Sequence, residues 1–465
     1  MTRGPVYLTA DIRRIEAAAG SVTPPLMQRA GAAAAELAAK IASDTSKDVL
    51  ILAGPGNNGG DAQVVAQLLQ EKFFRVALVK SAKDIPEKSW GLVVDGLFGI
   101  GLARDIDGDY AKLVDYANRQ GCPVLALDIP SGLHSDTGKV MGRAVRASHT
   151  VTFIALKPGL LTLDGPDYCG QLSVADLELE VRKLLPPSAW VAEPTLFAAR
   201  KRPRNFHKGM AGSLGVLGGA AGMNGAALLA GRAALKLGVG RVYVGLLEEN
   251  TVKVDFGAPE LMLRHADDVL GLDLDALVVG PGLGQGERAE TLVGAALASD
   301  IPCVLDADAL NLISHSPSLR EACSRRGAET LLTPHPGEAA TLLGEGISAV
   351  QGDRVAAARA LSKHFNAHVV LKGNGSILVA RDGHWFVNTT GNSGMASAGM
   401  GDVLAGLLGS LLAQHYTGES ALVLGTHLHG AAADELVRAG TGPVGLTANE
   451  VIEPARRLWN SWLTS

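Results

Sequence analysis

Two glycine-rich loops, each closing on an aspartate where a predicted strand hands over to a helix, constrain this chain more than any other feature. The first is Gly54-Pro55-Gly56-Asn57-Asn58-Gly59-Gly60-Asp61; the second begins at Gly391 and ends Gly399-Met400-Gly401-Asp402. Glycine lets backbone N–H groups approach an anion closely, and a helix N-terminus adds partial positive charge. Two such loops, far apart and built differently, point to two active sites within α/β architecture.

A chain of 465 residues exceeds one ordinary core, and roughly 150 residues per domain predicts two or three domains. Hydrophobic content of 47% with 19% charged residues describes a globular protein. The net charge of −5 and the shortness of Lys201-Arg202-Pro203-Arg204 argue against nucleic acid as a partner. The cysteines Cys122, Cys169, Cys303 and Cys323 lack metal-type spacing. Cys122 and Cys303 adjoin predicted buried strands, so they read as reduced core residues. Met1-Thr2-Arg3-Gly4-Pro5 contains no apolar h-region, and no apolar run reaches about 18 residues. The expectation is a cytoplasmic protein with neither signal peptide nor membrane span.

Helices are predicted at Thr9 to Ala19, with Thr9 as N-cap, and at Pro24 to Ala42. From Val49 onward short apolar runs alternate with helical patterns, the signature of a parallel sheet covered on both faces. The predicted strands 48–53, 75–79, 92–95 and 124–128 and the helix 62–72 form a doubly wound unit. Between Leu184 and Pro203 the alternation dissolves into Pro186-Pro187, Pro194 and a basic run from Arg200, read as a linker. The predicted domains are therefore 1–205 and 206–465. Alternation restarts at Leu214, and Thr447-Ala448-Asn449-Glu450 is a capping-box pattern opening a terminal helix.

Gly54-x-Gly56-x-x-Gly59 satisfies a dinucleotide fingerprint, yet the position about 20 residues on is Lys80-Ser81 rather than a ribose-binding acid. Other strand ends carry more. Asp95 opens Asp95-Gly96-Leu97-Phe98-Gly99-Ile100-Gly101-Leu102-Ala103-Arg104-Asp105, and Asp128 opens Asp128-Ile129-Pro130-Ser131-Gly132. In open α/β sheets ligands bind outside the carboxyl ends of the strands. Asn58, Asp61, Asp95, Asp128 and Ser131 thus share one rim as hard oxygen donors suited to an alkali or alkaline-earth cation.

These three motifs, in order, resemble the N-terminal domain of the NAD(P)H-hydrate epimerases. The resemblance implies a Rossmann-like domain in which Asn57, Asn58, Gly59, Gly60 and Asp61 contact the substrate. Gly99, Ile100, Gly101, Leu102, Ala103, Arg104 and Asp105 would do so too, with Tyr110 and Asp128. It implies K⁺ held by Asn58, Asp95 and Ser131. Asp128 is the candidate general acid/base, because epimerising C6 moves protons while the hydrate opens and recloses. Ala62 stands where the family usually has glycine.

The second loop opens the predicted helix from Met400, with Asp402 in its first turn. Alone, Asp402 reads as an acid complementing the helix dipole. Its company says more: Lys372-Gly373-Asn374-Gly375-Ser376 after a strand, His335-Pro336-Gly337-Glu338, Gly280-Pro281-Gly282-Leu283-Gly284, and Asn224-Gly225-Ala226. In order, these resemble the ribokinase-like NAD(P)H-hydrate dehydratases. The resemblance implies nucleotide contacts from Lys372, Gly373, Asn374, Gly375, Ser376 and Gly401. Ala226, Gly284, His335 and Asp402 would face the hydrated dinucleotide, with Asp402 as catalytic base and Mg²⁺ neutralising charge. Similarity to bacterial fused proteins favours ADP as phosphoryl donor, although the pattern itself does not separate ADP from ATP.

The resulting expectation is a bifunctional repair enzyme acting on hydrated NADH and NADPH, using ADP as co-substrate, as a homo-oligomer with no membrane partner. Two alternatives stay open at this stage. The second half could be an ordinary small-molecule kinase, in which case a phosphorylated product accumulates without water loss. The first half could be a non-catalytic binding module, in which case it fails to equilibrate the epimers. His427-x-His429 has spacing that makes the rings diverge on a helix, and Trp385 reads as packing.

Overall fold

The structure is a computed structural model and describes residues 4–20, 22–197, 201–248 and 252–464. Met1 to Arg3 and Arg200, used in the readings above, lie outside the described residues. Contacts divide the chain into two compact units, Met1–Val191 and Ala192–Ser465. The division falls earlier than the expected boundary at 205. From Ala192 onward the stretch read as linker belongs to the second unit, where Ala192 N donates to Val387 O (2.9 Å). Arg202 likewise donates to Gly238 O and Gln414 Oε1, both at 2.6 Å.

The strands of the first unit are β1 (Pro5–Val6), β2 (Val49–Ala53), β3 (Val76–Val79), β4 (Leu92–Gly96), β5 (Val124–Leu127), β6 (His149–Phe153), β7 (Gln171–Ala175) and β8 (Ala189–Val191). Six of them form a sheet of order β3-β2-β4-β5-β6-β7, parallel throughout. The period of two explains the sandwiching. Val49, Ile51 and Ala53 of β2 face a core shared with helices Leu26–Ala42 and Asn57–Glu71, whereas Leu50 and Leu52 face Leu113 and Val114 of helix Gly108–Asn118. β1 pairs antiparallel with β8.

Two local expectations change. The helix after the first loop begins at Asn57 rather than Ala62. Gly56 is extended, so only Gly54 to Gly56 form the turn and the motif's polar residues sit in the helix's first turns. Thr9 does not cap its helix; Leu8 precedes it without a side-chain cap, and Thr9 Oγ1 bonds Asp136 Oδ1 (2.8 Å) instead.

The second unit contains β9 (Ser213–Gly218), β10 (Arg241–Leu246), β11 (Met262–His265), β12 (Ala276–Val279), β13 (Cys303–Leu305), β14 (Thr330–Leu332), β15 (His368–Leu371), β16 (Ser376–Val379) and β17 (Trp385–Asn388). Their order is β17-β16-β15-β14-β13-β12-β9-β10-β11, parallel from β14 and β15 onward and antiparallel at β15/β16 and β16/β17. Helix Met400–Ala413 is almost wholly buried and crosses helix Asn224–Leu237 closely. A Cβ on Gly406 would lie 2.1 Å from Ala230 O, so glycine there is a packing requirement that carries the helix start into the site. Leu404, Leu407, Leu408, Leu411 and Trp385 are core residues. All four cysteines are free, but Cys122 is only half-buried, in the turn that precedes β5. Among the described residues no helix is long and apolar enough to cross a membrane.

Candidate active sites

In the first unit a cavity of about 560 Å³ opens at the carboxyl ends of β2, β4, β5 and β6. Its wall includes Asn57, Asn58, Asp61, Gly99, Ile100, Gly101, Leu102 and Asp128. Close backbone approach holds the rim together: a Cβ on Gly54 would lie 1.7 Å from Leu97 O, and one on Gly59 would lie 1.9 Å from Gly54 O. Only glycine permits the helix to start against the strand-end loop.

Asp128 sits in a left-handed conformation, φ 65°. Its Oδ1 accepts from Lys157 Nζ at 2.6 Å, and from Thr152 Oγ1 and Phe153 N at 3.3 Å. Its Oδ2 turns toward Gly99, 3.4 Å from where a Cβ would be. Burial, with Asp128 and Glu16 nearby, pushes the Asp61 carboxyl up to about 8, so it holds a proton near neutrality. Burial and the Asp128 charge also raise Glu16.

Asp95 and Ser131 are bonded directly: Ser131 Oγ donates to Asp95 Oδ1 (2.6 Å) and Ser131 N to Oδ2 (2.8 Å). Burial raises Asp95 to about 6 despite those bonds. Asn58 is buried with neither Oδ1 nor Nδ2 partnered. Its amide carbon is 3.5 Å from a Cβ position on Gly99, beside the cavity wall. An unsatisfied buried amide calls for a ligand or ion.

Other expected contacts stand off this wall. Gly59 and Gly60 face inward, against Gly54 O and the Met27 side chain. Ala103, Arg104 and Asp105 are exposed outside it, and Tyr110 packs edge-on against Phe98 with centroids 4.9 Å apart. Conversely, Arg13, Glu16 and Lys157 line the cavity without having been singled out from sequence.

In the second unit the helix start places Asp402 in its first turn. A Cβ on Gly401 would lie 3.3 Å from Lys372 Nζ and 3.5 Å from Asp306 Oδ2. Lys372 Nζ donates to Asp306 Oδ1 (2.9 Å), which also accepts from Thr333 Oγ1 (2.8 Å), and Glu338 Oε2 is 4.0 Å from the same ammonium. Burial, then the Asp306 charge, raises Asp402 to about 7 against the pull of Lys372. Burial also raises Glu338. For Lys372 burial works downward, but Asp306, Glu338 and Asp402 outweigh it and leave the ammonium raised.

Gly284, at φ 77°, donates its N–H to Asp308 Oδ2 (2.8 Å). Ala226 lies at the start of helix Asn224–Leu237, 3.2 Å from a Cβ position on Gly282. His335 has a structural task as well: its Nδ1 caps helix Pro336–Leu343 by accepting from Gly337 N (3.0 Å) and Glu338 N (3.3 Å), while Glu338 Oε2 accepts from His335 N (2.8 Å). Gly373 to Gly375 follow β15, as the sequence predicts. They turn the chain between antiparallel β15 and β16, and Ser376 Oγ closes the turn on Gly373 O at 3.0 Å. Both histidines of His427-x-His429 are buried, and burial lowers His429 to about 4.

Sequence reasoning passed over Asp306 and Asp308. A signal existed, since Asp306-Ala307-Asp308 follows β13 as Asp95 stands next to last in β4 and Asp128 follows β5.

Comparison with known proteins gives a consistent likeness. The family described as NAD(P)H-hydrate dehydratase matches residues 214–455. The family described as YjeF-related protein N-terminus matches 24–90 and 78–159. The bifunctional NAD(P)H-hydrate repair enzyme of Coxiella burnetii is 37% identical, over 98% of this chain and 99% of its own. That of Escherichia coli is 36% identical over 99% and 95%. Among solved structures, the ADP/ATP-dependent NAD(P)H-hydrate dehydratase of Bacillus subtilis, co-crystallised with ATP and Mg²⁺, is 30% identical with a TM-score of 0.51, covering 56% of this chain and 94% of that one.

Proposed function

The chain belongs to the bifunctional NAD(P)H-hydrate repair enzymes, and from that membership we infer how its two sites divide the work. The first interconverts the R and S epimers of hydrated NADH and NADPH. The second uses ADP to dehydrate the S epimer back to the reduced dinucleotide.

In the first site Asp128 takes the C6 hydroxyl proton as the C6–N bond opens to a carbonyl, and the ring nitrogen gains a proton. Reclosure on the other carbonyl face reverses both transfers and inverts C6. Asp61, protonated near neutrality, supports this as a nearby proton donor. Asn57, Asn58, Asp61 and Gly99 to Leu102, which line the cavity, form the proposed substrate surface. Asn58, Asp95 and Ser131 would hold K⁺, a reading supported by the partnerless Asn58 amide. A single formal negative charge in that set suits a monovalent ion, and bound K⁺ would offset substrate phosphate charge.

In the second site Asp402 removes the C6 hydroxyl proton. The oxygen then takes the terminal phosphoryl group of ADP, leaving AMP. N–H groups at Gly401 and the Lys372 ammonium stabilise the transferring group. The ring nitrogen's electron pair expels phosphate from C6, and loss of a C5 proton restores the dihydropyridine. Lys372 to Ser376 would hold the nucleotide, while Ala226, Gly284 and His335 would face the hydrate. Mg²⁺ would neutralise phosphate charge, bound mainly through the nucleotide's phosphates and not by a dedicated cage of protein carboxylates. The observation that carries this reading is the convergence of Asp402, Lys372, Asp306 and Gly401 at one helix start. Cytoplasmic residence belongs to the same reading, supported by four free cysteines.

Full-length variants test it. Asp128→Asn should lose R-to-S interconversion yet dehydrate S epimer with ADP, and Asp402→Asn should do the reverse. A phosphorylated hydrate that accumulates without water loss would favour the simple kinase instead.

A further inference from the structure

The first unit contains a lysine that no motif accounts for. Lys157 is 0% exposed, although burying an ammonium is unfavourable unless all its donors are met. Here they are: Nζ reaches Asp128 Oδ1 at 2.6 Å, Phe153 O at 2.7 Å and Thr152 Oγ1 at 2.8 Å. Phe153 O and the Thr152 hydroxyl belong to the end of β6, so the ammonium is fixed to the sheet before it meets the carboxylate.

The arrangement is asymmetric about Asp128. Oδ1 receives Lys157, Thr152 Oγ1 and Phe153 N, whereas Oδ2 points at the cavity wall by Gly99. Asp128 holds a left-handed backbone, φ 65°, a conformation that is strained for a non-glycine residue. A carboxylate that serves only packing needs neither a strained backbone nor a buried cation on one oxygen.

We propose that Lys157 is a positioning residue of the epimerisation site, clamping Asp128 Oδ1 to the end of β6 so that Oδ2 alone is presented to the C6 hydroxyl. This rests on the reading of Asp128 as the acid/base group. Thr152 is the second jaw of the clamp, since its hydroxyl touches both Lys157 and Asp128. Misplacing a reacting atom by about 1 Å can cost roughly 10²-fold in rate without weakening substrate binding.

The test uses the full chain. Lys157→Met should lower kcat for epimerisation at least about tenfold, with KM within about twofold, while ADP-dependent dehydration of S epimer stays at the parental rate. Thr152→Val keeps both charges and the side-chain shape, so it should fold even if Lys157→Met does not. It should lower kcat about two- to tenfold with KM unchanged. Parental kcat in Lys157→Met, or in Thr152→Val where the first does not fold, overturns the inference. So does a loss that falls on KM with kcat retained, which would make Lys157 a binding or purely structural residue. Asp128→Asn measured alongside separates the two levels: if that variant epimerises normally, the reading of Asp128 itself fails.

Discussion

Lys372 Nζ, at the turn after β15, lies 2.9 Å from Asp306 Oδ1 at the end of β13, and both press against Gly401 at the start of helix Met400–Ala413. Three separate strand and helix ends therefore meet in one charged cluster beside Asp402. The pairing keeps a cation where phosphate charge would develop, and it leaves Asp402 as the carboxylate of that cluster whose pKa burial and Asp306 bring near neutrality.

Replacing that carboxylate should separate chemistry from binding. Asp402→Asn keeps shape and burial, so nucleotide affinity and melting temperature should hardly change, while dehydration turnover falls at least about 10²-fold. Steady-state kinetics with S epimer and ADP, beside ADP titration by calorimetry, checks this. Parental turnover would remove Asp402 from the mechanism.

The same group sets a pH dependence. Burial first, and then Asp306, raises Asp402 to about 7. A base works in its ionised form, so dehydration should rise with pH up to about 7 and level off above it. Below that point it should fall by about tenfold per pH unit. A kcat profile that stays flat between about pH 5.5 and 7 would contradict the assignment.

Gly54 tests the loop geometry rather than the chemistry. A Cβ there would stand 1.7 Å from Leu97 O, a backbone atom that cannot yield without moving the loop after β4. Gly54→Ala should destabilise the first unit by about 1–3 kcal/mol and suppress epimerisation. Dehydration by the second unit should persist, as thermal unfolding and the two activity assays would show.

For the cation, Asp95→Ala removes the single formal charge from the proposed K⁺ set. Substrate should bind the first site more weakly, and epimerisation should lose any preference for K⁺ over Na⁺, with ADP-dependent dehydration unchanged. Crystals grown in potassium should show density between Asn58, Asp95 and Ser131. Zinc there, or no density, would overturn the reading.

Much is legible in the sequence because it is local. The glycine loops, the strand-end aspartates and the alternation of short apolar runs with helical patterns each lie within a short window. Backbone conformation and burial period act over such windows. The helix Met400–Ala413 and its first-turn Asp402 are of this kind. Even so, the start of helix Asn57–Glu71 was displaced, since Gly59 and Gly60 argue locally against helix and only packing on Gly54 O and Met27 makes small residues there an advantage.

Which side chains meet is decided by the strand order of the two sheets. Lys157 and Asp128 are 29 residues apart, and Lys372 and Asp306 are 66 apart; no periodicity links either pair. Parallel β5 beside β6, and β13, β14 and β15 in succession, bring their carboxyl ends to common rims. A lysine in an apolar run or a second aspartate after a strand acquires chemical meaning only there. Burial does the rest, because Asp61 and Asp402 depart from ordinary carboxylate behaviour through desolvation and neighbouring charge, both properties of the folded surroundings and not of the residues themselves.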